Sequence, residues 1–298
     1  MAFQQYLAEE VAIDHADGLY SRREALRRLA LLGLGVPTAS ALLAACGGDG
    51  EPVSSSTTTG AGEAATPPTP AVETEEITFP GPEGQTVRGA WAAADQPRGA
   101  VLVIHENRGL NDHIRSVAGR LAASGYWALA IDLLSAEGGT AALGGEAEAM
   151  AALSSAPQVR FVADMRAGLD ELERRAPGQK LGAIGFCFGG GMTWLLLASG
   201  EPRLAAAAPF YGPLPEAADF SGSPNAAVLG IYAEQDDRVN ATRDAATAAL
   251  ERAGLTHEIV TYPGANHAFF NDTGPRYDQA AASQAYTKVL DWFGQHLS

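Results

Sequence analysis

The chain has 298 residues, of which 46% are apolar and 18% charged, as is typical of a globular protein large enough for one sizeable domain. Its 35 acidic residues outnumber 20 basic residues and give a net charge of −15, so we expect no nucleic acid partner. The sequence contains no internal repeat and no sign of a second folded domain. We therefore expect a monomer.

Residues 1–45 have the organisation of a secretory signal. A basic stretch at 21–28 precedes an uncharged run at 29–45, which ends in small residues. The adjacent Arg22 and Arg23 are typical of a twin-arginine signal. We therefore expect export to the bacterial cell envelope, into the periplasm or onto the cell surface.

The end of this run, LAAC at 43–46, resembles a bacterial lipobox, in which the cysteine is lipidated and becomes the mature N-terminus. Cys46 is thus the candidate lipidation site, and its lipid would anchor the protein to a membrane. Lipidation would also leave Cys187 without a disulfide partner. A cleaved signal without lipidation is the alternative. A transmembrane anchor fits less well, because the run is short and is interrupted by two glycines and Pro37.

Residues 46–76 are rich in Gly, Ser, Thr, Pro and Glu, which predicts a disordered linker. The folded domain is expected at 77–298. Its predicted strands lie at 86–92, 100–104, 127–131, from 181 into Cys187, and at 204–210, 227–233 and 258–262. Helices are predicted at about 111–124, 159–175, 192–198, 242–253 and 275–296, and a loop with a short helix at 133–156.

This alternation of strands and helices predicts an α/β fold, with a mostly parallel sheet and helices on both faces. Ligands bind such sheets at the carboxyl ends of the strands. Four polar residues fall at such ends: Glu106, Cys187, Asp236 and His267. The sequence therefore predicts a catalytic site at this edge of the sheet.

The segment GFCFG at 185–189 has the form of a nucleophile elbow, in which a strand turns sharply into a helix and presents one side chain at the apex. The flanking glycines allow the strand, the apex and the helix to approach one another. A thiol at a helix start is expected to favour the reactive thiolate. The alternative is an inert, buried cysteine in a glycine-rich turn.

Cys187, Asp236 and His267 follow the chain order nucleophile, acid, histidine that is typical of α/β-hydrolases. His267 would accept the thiol proton, and Asp236 would orient the imidazole. The backbone N–H groups of Phe188 and Asn107 could form an oxyanion hole.

Two of these assignments have alternatives. Asp237 could replace its neighbour Asp236 as the acid. Other histidines are weaker candidates for the base, since a solvated surface position is the usual fate of a histidine. These are His105, His113, His257 and His296.

Four segments together resemble the dienelactone hydrolase family, also called carboxymethylenebutenolidases: HENRG at 105–109, GFCFGGG at 185–191, YAEQDDRVN at 232–240 and YPGANHAFFND at 262–272. The resemblance covers about residues 76–298 and implies an α/β-hydrolase fold with Cys187, Asp236 and His267 as the triad. It also implies that Glu106 activates the thiol. The alternative for Glu106 is a structural carboxylate paired with Arg108 or Arg115.

One departure from the family concerns the substrate. The family carries an arginine for the substrate carboxylate shortly after the histidine, whereas this chain reads AFFN at 268–271. The segment 133–156 contains no arginine that could supply a second contact. Arg160 or Arg276 could serve instead, or each could be an exposed helix arginine. The departure argues against dienelactone itself and leaves an ester or lactone as the substrate.

The sequence thus predicts a hydrolase that cleaves a small-molecule ester or lactone through a thioester at Cys187, without a metal or other cofactor. A thioesterase or peptidase acting through the same triad is the alternative enzyme. A surface-tethered binding module with a lapsed hydrolase site and a redox sensor are the alternatives from other classes.

Overall fold

A computed structural model describes residues 3–46 and 70–298 of the chain. Most of the predicted linker, residues 47–69, therefore lies outside the described residues. None of the helices described in these two ranges is long and apolar enough to cross a membrane.

The domain is built on an eight-stranded sheet with the strand order β1-β2-β4-β3-β5-β6-β7-β8. The first two strands run antiparallel to their neighbours, and the other pairs are parallel. The strands are β1 Glu75–Pro80, β2 Thr86–Ala92, β3 Ala100–Ile104, β4 Trp127–Asp132, β5 Leu181–Phe186, β6 Leu204–Phe210, β7 Ala227–Ala233 and β8 His257–Tyr262.

Every residue of β3, β5 and β7 is buried, so the centre of the sheet is covered on both faces. The covering helices are α4 Asp112–Ala123, α5 Glu146–Ser155, α6 Gln158–Arg175, α7 Phe188–Ala198, α8 Asp237–Asn240, α9 Arg243–Ala253 and α10 Gln279–His296. The predicted α/β architecture is confirmed.

Three details differ from the sequence prediction. The strand β1 begins at Glu75 inside the predicted linker, where it pairs with β2 as an edge strand. The short helix α8 was not predicted. The last helix begins at Gln279 rather than near Pro275, because the Asp278 side chain accepts the Ala281 N–H and caps the helix there.

Most of the segment predicted to be a signal is folded against the domain as α1 Phe3–Ala16, α2 Arg22–Leu31 and α3 Val36–Cys46. Its apolar residues join the same core as the sheet. Ion pairs add to this packing, with Arg27 Nη2 at 2.5 Å from Glu148 Oε1 on α5. Arg22 and Arg23 are exposed at the start of α2. Export stays a prediction.

Candidate active site

Cys187 lies at the turn from β5 into α7 with φ 55° and ψ −115°, a conformation that non-glycine residues rarely adopt. The glycines beside it are required sterically. A Cβ on Gly185 would lie 2.1 Å from the Gly189 carbonyl oxygen, and one on Gly189 would lie 2.3 Å from the Ile104 carbonyl oxygen. The predicted elbow is therefore present, and it brings the end of β3 against the start of α7.

Asp236 and His267 meet after β7 and β8. His267 Nδ1 lies 2.5 Å from Asp236 Oδ2, and both side chains are buried. Burial acts to lower the pKa of His267, but the Asp236 carboxylate, together with the charge of Glu10, more than offsets this and leaves that pKa raised. Burial likewise acts to raise the pKa of Asp236, yet the pairing with His267 leaves it lowered. The carboxylate thus fixes the orientation of the ring.

The other ring nitrogen of His267 points toward the elbow. Within the described residues, His267 Nε2 is buried and has no hydrogen-bond partner. A ring nitrogen of His267, Cys187 Sγ and a carboxylate oxygen of Glu10 all lie within 4.8 Å of one another. The structure therefore brings together the three residues predicted as nucleophile, acid and base, and adds a fourth from α1.

Cys187 itself is 2% exposed and contacts two side chains of α1. Its Sγ donates to the Glu10 carboxylate, at 3.3 Å from Oε1 and 3.4 Å from Oε2, and lies 3.4 Å from the Tyr6 hydroxyl. Burial raises the pKa of the Cys187 thiol well above its usual range, and the charges of Glu10 and Glu106 raise it further. The thiolate expected at a helix start is therefore not the form favoured in this arrangement.

Glu106 follows β3 and is 4% exposed. Its Oε2 accepts the side-chain amide of Asn271 at 2.7 Å, and Oε1 is buried without a hydrogen-bond partner among the described residues. Arg108 instead pairs with Glu146 at 3.1 Å, and Arg115 with Glu76 at 2.9 Å. The structural ion pairs considered for Glu106 are therefore not formed.

The two oxyanion candidates lie on either side of the elbow. Phe188 is the first residue of α7, so its N–H is among the donors that a helix leaves unpaired at its N-terminus. Asn107 is buried after β3, and its side-chain amide donates to Glu10 Oε1 at 2.9 Å. Asn107 therefore lies against the Glu10 carboxylate, and Phe188 follows the cysteine that this carboxylate contacts.

The alternatives to the triad residues lie elsewhere. Asp237 is exposed at the start of α8. His105 is fully buried, where it contacts the Glu106 carbonyl at 2.6 Å and accepts the Leu133 N–H, and His113 pairs with Asp272 at 2.8 Å. The prediction of a solvated surface position is thus wrong for His105 and His113. His257 contacts the Leu255 carbonyl, and the His296 ring packs against Trp292 at an interplanar angle of 54°.

The two arginines considered for substrate binding are both paired. Arg160 on α6 contacts Glu137 at 2.6 Å, and its side chain is 17% exposed. Arg276 precedes α10, is 11% exposed, and pairs with Asp14 at 2.8 Å and Asp17 at 2.6 Å. The alternative interpretation of Arg160 and Arg276 as exposed helix arginines is therefore wrong.

Sequence reasoning missed the contribution of α1, because residues 1–45 were assigned to a signal. A helical spacing could have indicated a buried face, since Tyr6, Leu7, Glu10, Val11 and Asp14 follow the i, i+3, i+4 pattern. It also missed Arg238 within the quoted segment 232–240. Cys46 ends α3, and the role of its side chain in lipidation stays a prediction.

The space beside Cys187 is about 40 Å³, lined by residues that include Glu10, Asp14, Glu106, Arg108 and His267. The cluster of Glu10, Cys187 and His267 also offers donor atoms of types that zinc accepts. In this structure the Cys187 thiol and the Glu10 carboxylate are joined by a hydrogen bond.

Comparisons with known proteins agree on one family. A sequence profile of the dienelactone hydrolase family matches residues 87–297. A putative carboxymethylenebutenolidase of Salmonella typhi is 33% identical over an alignment of 216 residues, and the match covers 68% of this chain and 80% of that protein.

Solved structures give the same result. A putative dienelactone hydrolase from Klebsiella pneumoniae superposes with a TM-score of 0.66 at 30% identity, over 75% of this chain and 98% of its own. A dienelactone hydrolase-like promiscuous phosphotriesterase from metagenomic libraries has a TM-score of 0.62 at 28% identity, over 76% of this chain and 100% of its own. The chain therefore belongs to the dienelactone hydrolase family and is a hydrolase with the α/β-hydrolase fold.

Proposed function

We propose that the protein hydrolyses a small-molecule ester or lactone with Cys187 as nucleophile, His267 as base and Asp236 as the acid that orients it. The single observation that carries this proposal is the buried His267, which contacts Asp236 with one nitrogen and directs the other toward the elbow cysteine. A strained elbow that exposes a backbone N–H beside the sulfur supports the same role.

The reaction proceeds in two halves. His267 Nε2 accepts the Cys187 proton as the sulfur attacks the carbonyl carbon, and the carbonyl oxygen gains negative charge beside the Phe188 and Asn107 N–H groups. Collapse breaks the ester C–O bond, and imidazolium returns the proton to the leaving alkoxide. Water then attacks the thioester with His267 as base, which releases the acid and restores the thiol.

Glu106 is assigned a supporting role. Its carboxylate is buried close enough to Cys187 to raise the pKa of the thiol, and one of its oxygens keeps acceptor capacity. That oxygen can accept the thiol proton when the substrate enters and then pass it to His267 Nε2 as the sulfur attacks, so that the imidazolium holds this proton for the leaving group. The Asn271 amide holds the carboxylate in position.

The substrate class rests on what surrounds the nucleophile. Asn271 stands in the segment where the family's arginine is expected, and it is bound to Glu106 rather than free for a substrate carboxylate. We therefore propose esters or lactones other than dienelactone. One structural relative is titled a promiscuous phosphotriesterase, so an aryl phosphotriester belongs among the test substrates.

The experiment is a turnover panel of p-nitrophenyl acetate, carboxylated lactones, an aryl thioester, a peptide amide and an aryl phosphotriester. We expect ester or lactone turnover once residues 1–45 have been removed, and its loss in Cys187→Ala and His267→Ala of the same chain. Preferred turnover of the thioester or peptide would favour the alternative enzyme. Persistence of ester turnover in Cys187→Ala would contradict the proposed nucleophile.

We also propose that residues 1–45 direct export and that Cys46 is lipidated, as the twin arginines and LAAC at 43–46 indicate. The test is incorporation of a labelled fatty acid in a bacterial host. We expect labelling of the parent and none of Cys46→Ala. Equal labelling of both would contradict lipidation at this residue.

A further inference from the structure

We propose that α1 is an intramolecular inhibitor that covers the catalytic site until the N-terminal segment is removed or displaced. Residues of α1 contact the nucleophile, the base and the side-chain amide of Asn107, the residue whose backbone N–H is a candidate oxyanion donor. The proposal rests on the proposed function of this site. It concerns regulation of that function rather than the chemistry itself.

The first support is contact with the nucleophile. The Cys187 thiol donates to Glu10, and the Tyr6 hydroxyl lies 3.4 Å from the same sulfur. Glu10 Oε1 is also 3.8 Å from His267 Nε2. The Glu10 carboxylate thus accepts the thiol hydrogen bond that His267 would accept during catalysis. It also lies between His267 and any approaching substrate.

The second support is the place that the Glu10 carboxylate occupies. It touches the sulfur and accepts the Asn107 amide at 2.9 Å. A carboxylic acid product of ester hydrolysis would likewise place a planar carboxylate beside the sulfur and beside Asn107, whose backbone N–H is a candidate oxyanion donor. Glu10 therefore resembles a bound product, which accounts for a buried carboxylate against a thiol.

The third support is charge pairing along the rest of the segment. Arg238 donates to the Tyr6 carbonyl at 2.7 Å and lies 3.7 Å from Glu10 Oε2. Arg276 holds both Asp14 and Asp17. The positive charges of these two largely buried guanidinium groups are thus paired with acidic side chains and a backbone carbonyl of the N-terminal segment.

The fourth support is packing. Tyr6, Leu7 and Val11 are at most 1% exposed, so the helix buries an apolar stripe as well as its acidic side chains. The remaining space of about 40 Å³ holds little more than a water or two, whereas small-molecule pockets span about 300–1,000 Å³. A substrate therefore reaches Cys187 only after α1 moves.

Release of the segment would also change the thiol. Burial and the Glu10 charge both hold the pKa of Cys187 high. Removing α1 lets water reach the sulfur and removes that charge, so the thiol ionises more readily and reacts faster. Cleavage of the proposed signal after residue 45 would separate α1 from the catalytic domain, and so couple export to activity.

The test measures alkylation of Cys187 by iodoacetamide in the full chain, read at the peptide level by mass spectrometry so that Cys46 is scored separately. Val11→Asp places a charge on the buried face of α1 and is expected to release the helix. Gln5→Asp adds the same charge at an exposed position of the same helix and is the matched control. We expect alkylation at least 10-fold faster in Val11→Asp and unchanged in Gln5→Asp, with ester turnover rising in parallel.

A second measurement guards against a variant that fails to fold. A protease site placed within residues 47–69 of the otherwise unchanged chain allows the segment to be cut from the folded protein, followed by dilution to let it dissociate. We expect the alkylation rate of Cys187 to rise at least 10-fold after the cut.

Three outcomes are distinguishable. Equal alkylation rates in the parent, in Val11→Asp and after the cut would overturn the inhibitory role. If Glu10→Gln alkylated faster but lost ester turnover, the inhibitory role would also be overturned. Glu10 would then be needed for the reaction. Faster alkylation on release, with no turnover of any substrate, would support the covering role and count against the proposed function.

Discussion

Asp236 and Asp237 are adjacent in the sequence, and burial separates their roles. The first is buried against His267, and the second is exposed on α8. The order of motifs along the chain could place the acid within one residue. The choice between the two depends on where β7 ends and α8 begins. Asp236 caps the start of α8, because its side chain accepts the Val239 N–H.

Asp236→Asn should lower kcat/KM by about 10³–10⁴-fold, since the amide no longer stabilises the imidazolium or selects the tautomer. Asp237→Asn is the matched control and should change kcat/KM less than about 2-fold, because an exposed side chain away from the site contributes little. The measurement is hydrolysis of p-nitrophenyl acetate by both variants in a chain released by Val11→Asp. A larger loss in Asp237→Asn would transfer the role to that residue.

Glu106→Gln keeps the size of the side chain and its contact with Asn271 but removes the charge. We expect turnover to fall at least 10-fold, while the free energy of unfolding changes by about 1 kcal/mol or less. Urea denaturation beside steady-state kinetics measures both. Equal relative losses of stability and turnover would make Glu106 a structural carboxylate.

The His267–Asp236 pair predicts a pH dependence of stability. The pKa of His267 is raised on folding, so its stabilisation is full below the unfolded value of about 6.5 and is lost as pH rises through the folded value. The pKa of Asp236 is lowered, so its stabilisation holds above about 3.9 and is lost as pH falls through the folded value. The stability difference between the parent and His267→Gln should be greatest between about pH 4 and 6.5.

Urea denaturation of the parent and of His267→Gln across that range measures this difference. A difference that grows steadily above pH 7 would mean that the buried histidine is neutral in the folded protein and is not stabilised by Asp236.

At the scale of the elements, apolar runs predicted the strands from β3 to β7, a weak alternation predicted β2, and the glycines at 185 and 189 predicted the elbow. Such apolar runs can be recognised in a sequence because strands buried on both faces need apolar residues throughout. The edge strand β1 alternates exposed and buried residues and could not be told from the polar linker before it. Residues 1–45 were assigned to a signal from their basic stretch, apolar run and adjacent arginines, so the contacts of α1 with Cys187 were not predicted.

The elbow predicts a large difference between two glycine substitutions. Gly185→Ala places a Cβ 2.1 Å from a backbone oxygen, so the strand and helix must separate, at a cost of about 3 kcal/mol or more. Gly294→Ala on α10 is the matched control, since its Cβ meets its nearest atom, the Tyr126 hydroxyl, at 3.7 Å. It should be neutral or stabilising by up to about 1 kcal/mol.

Thermal and urea unfolding of the two variants make the comparison. If Gly185→Ala proved as stable as Gly294→Ala, the close approach of β5 and α7 at the elbow would be wrong.

At the scale of the whole molecule, one sheet carries the chemistry and one N-terminal segment covers it. The family resemblance accounts for the sheet, the elbow and the triad order. It does not account for α1, whose Glu10 lies against Cys187. Arg22 and Arg23 of the proposed export signal are exposed, whereas Leu29, Leu32, Ala39 and Leu43 of the apolar run behind them are buried.

The central claim is that Cys187 forms a thioester during hydrolysis. The most direct measurement is a rapid acid quench of the Val11→Asp chain during turnover of p-nitrophenyl acetate, with peptide mass spectrometry to locate the acetyl group. The account predicts one acetyl group on Cys187, and none in His267→Ala within the same interval. Ester hydrolysis that proceeds with no acetyl group on Cys187, or that persists in Cys187→Ala, would contradict it.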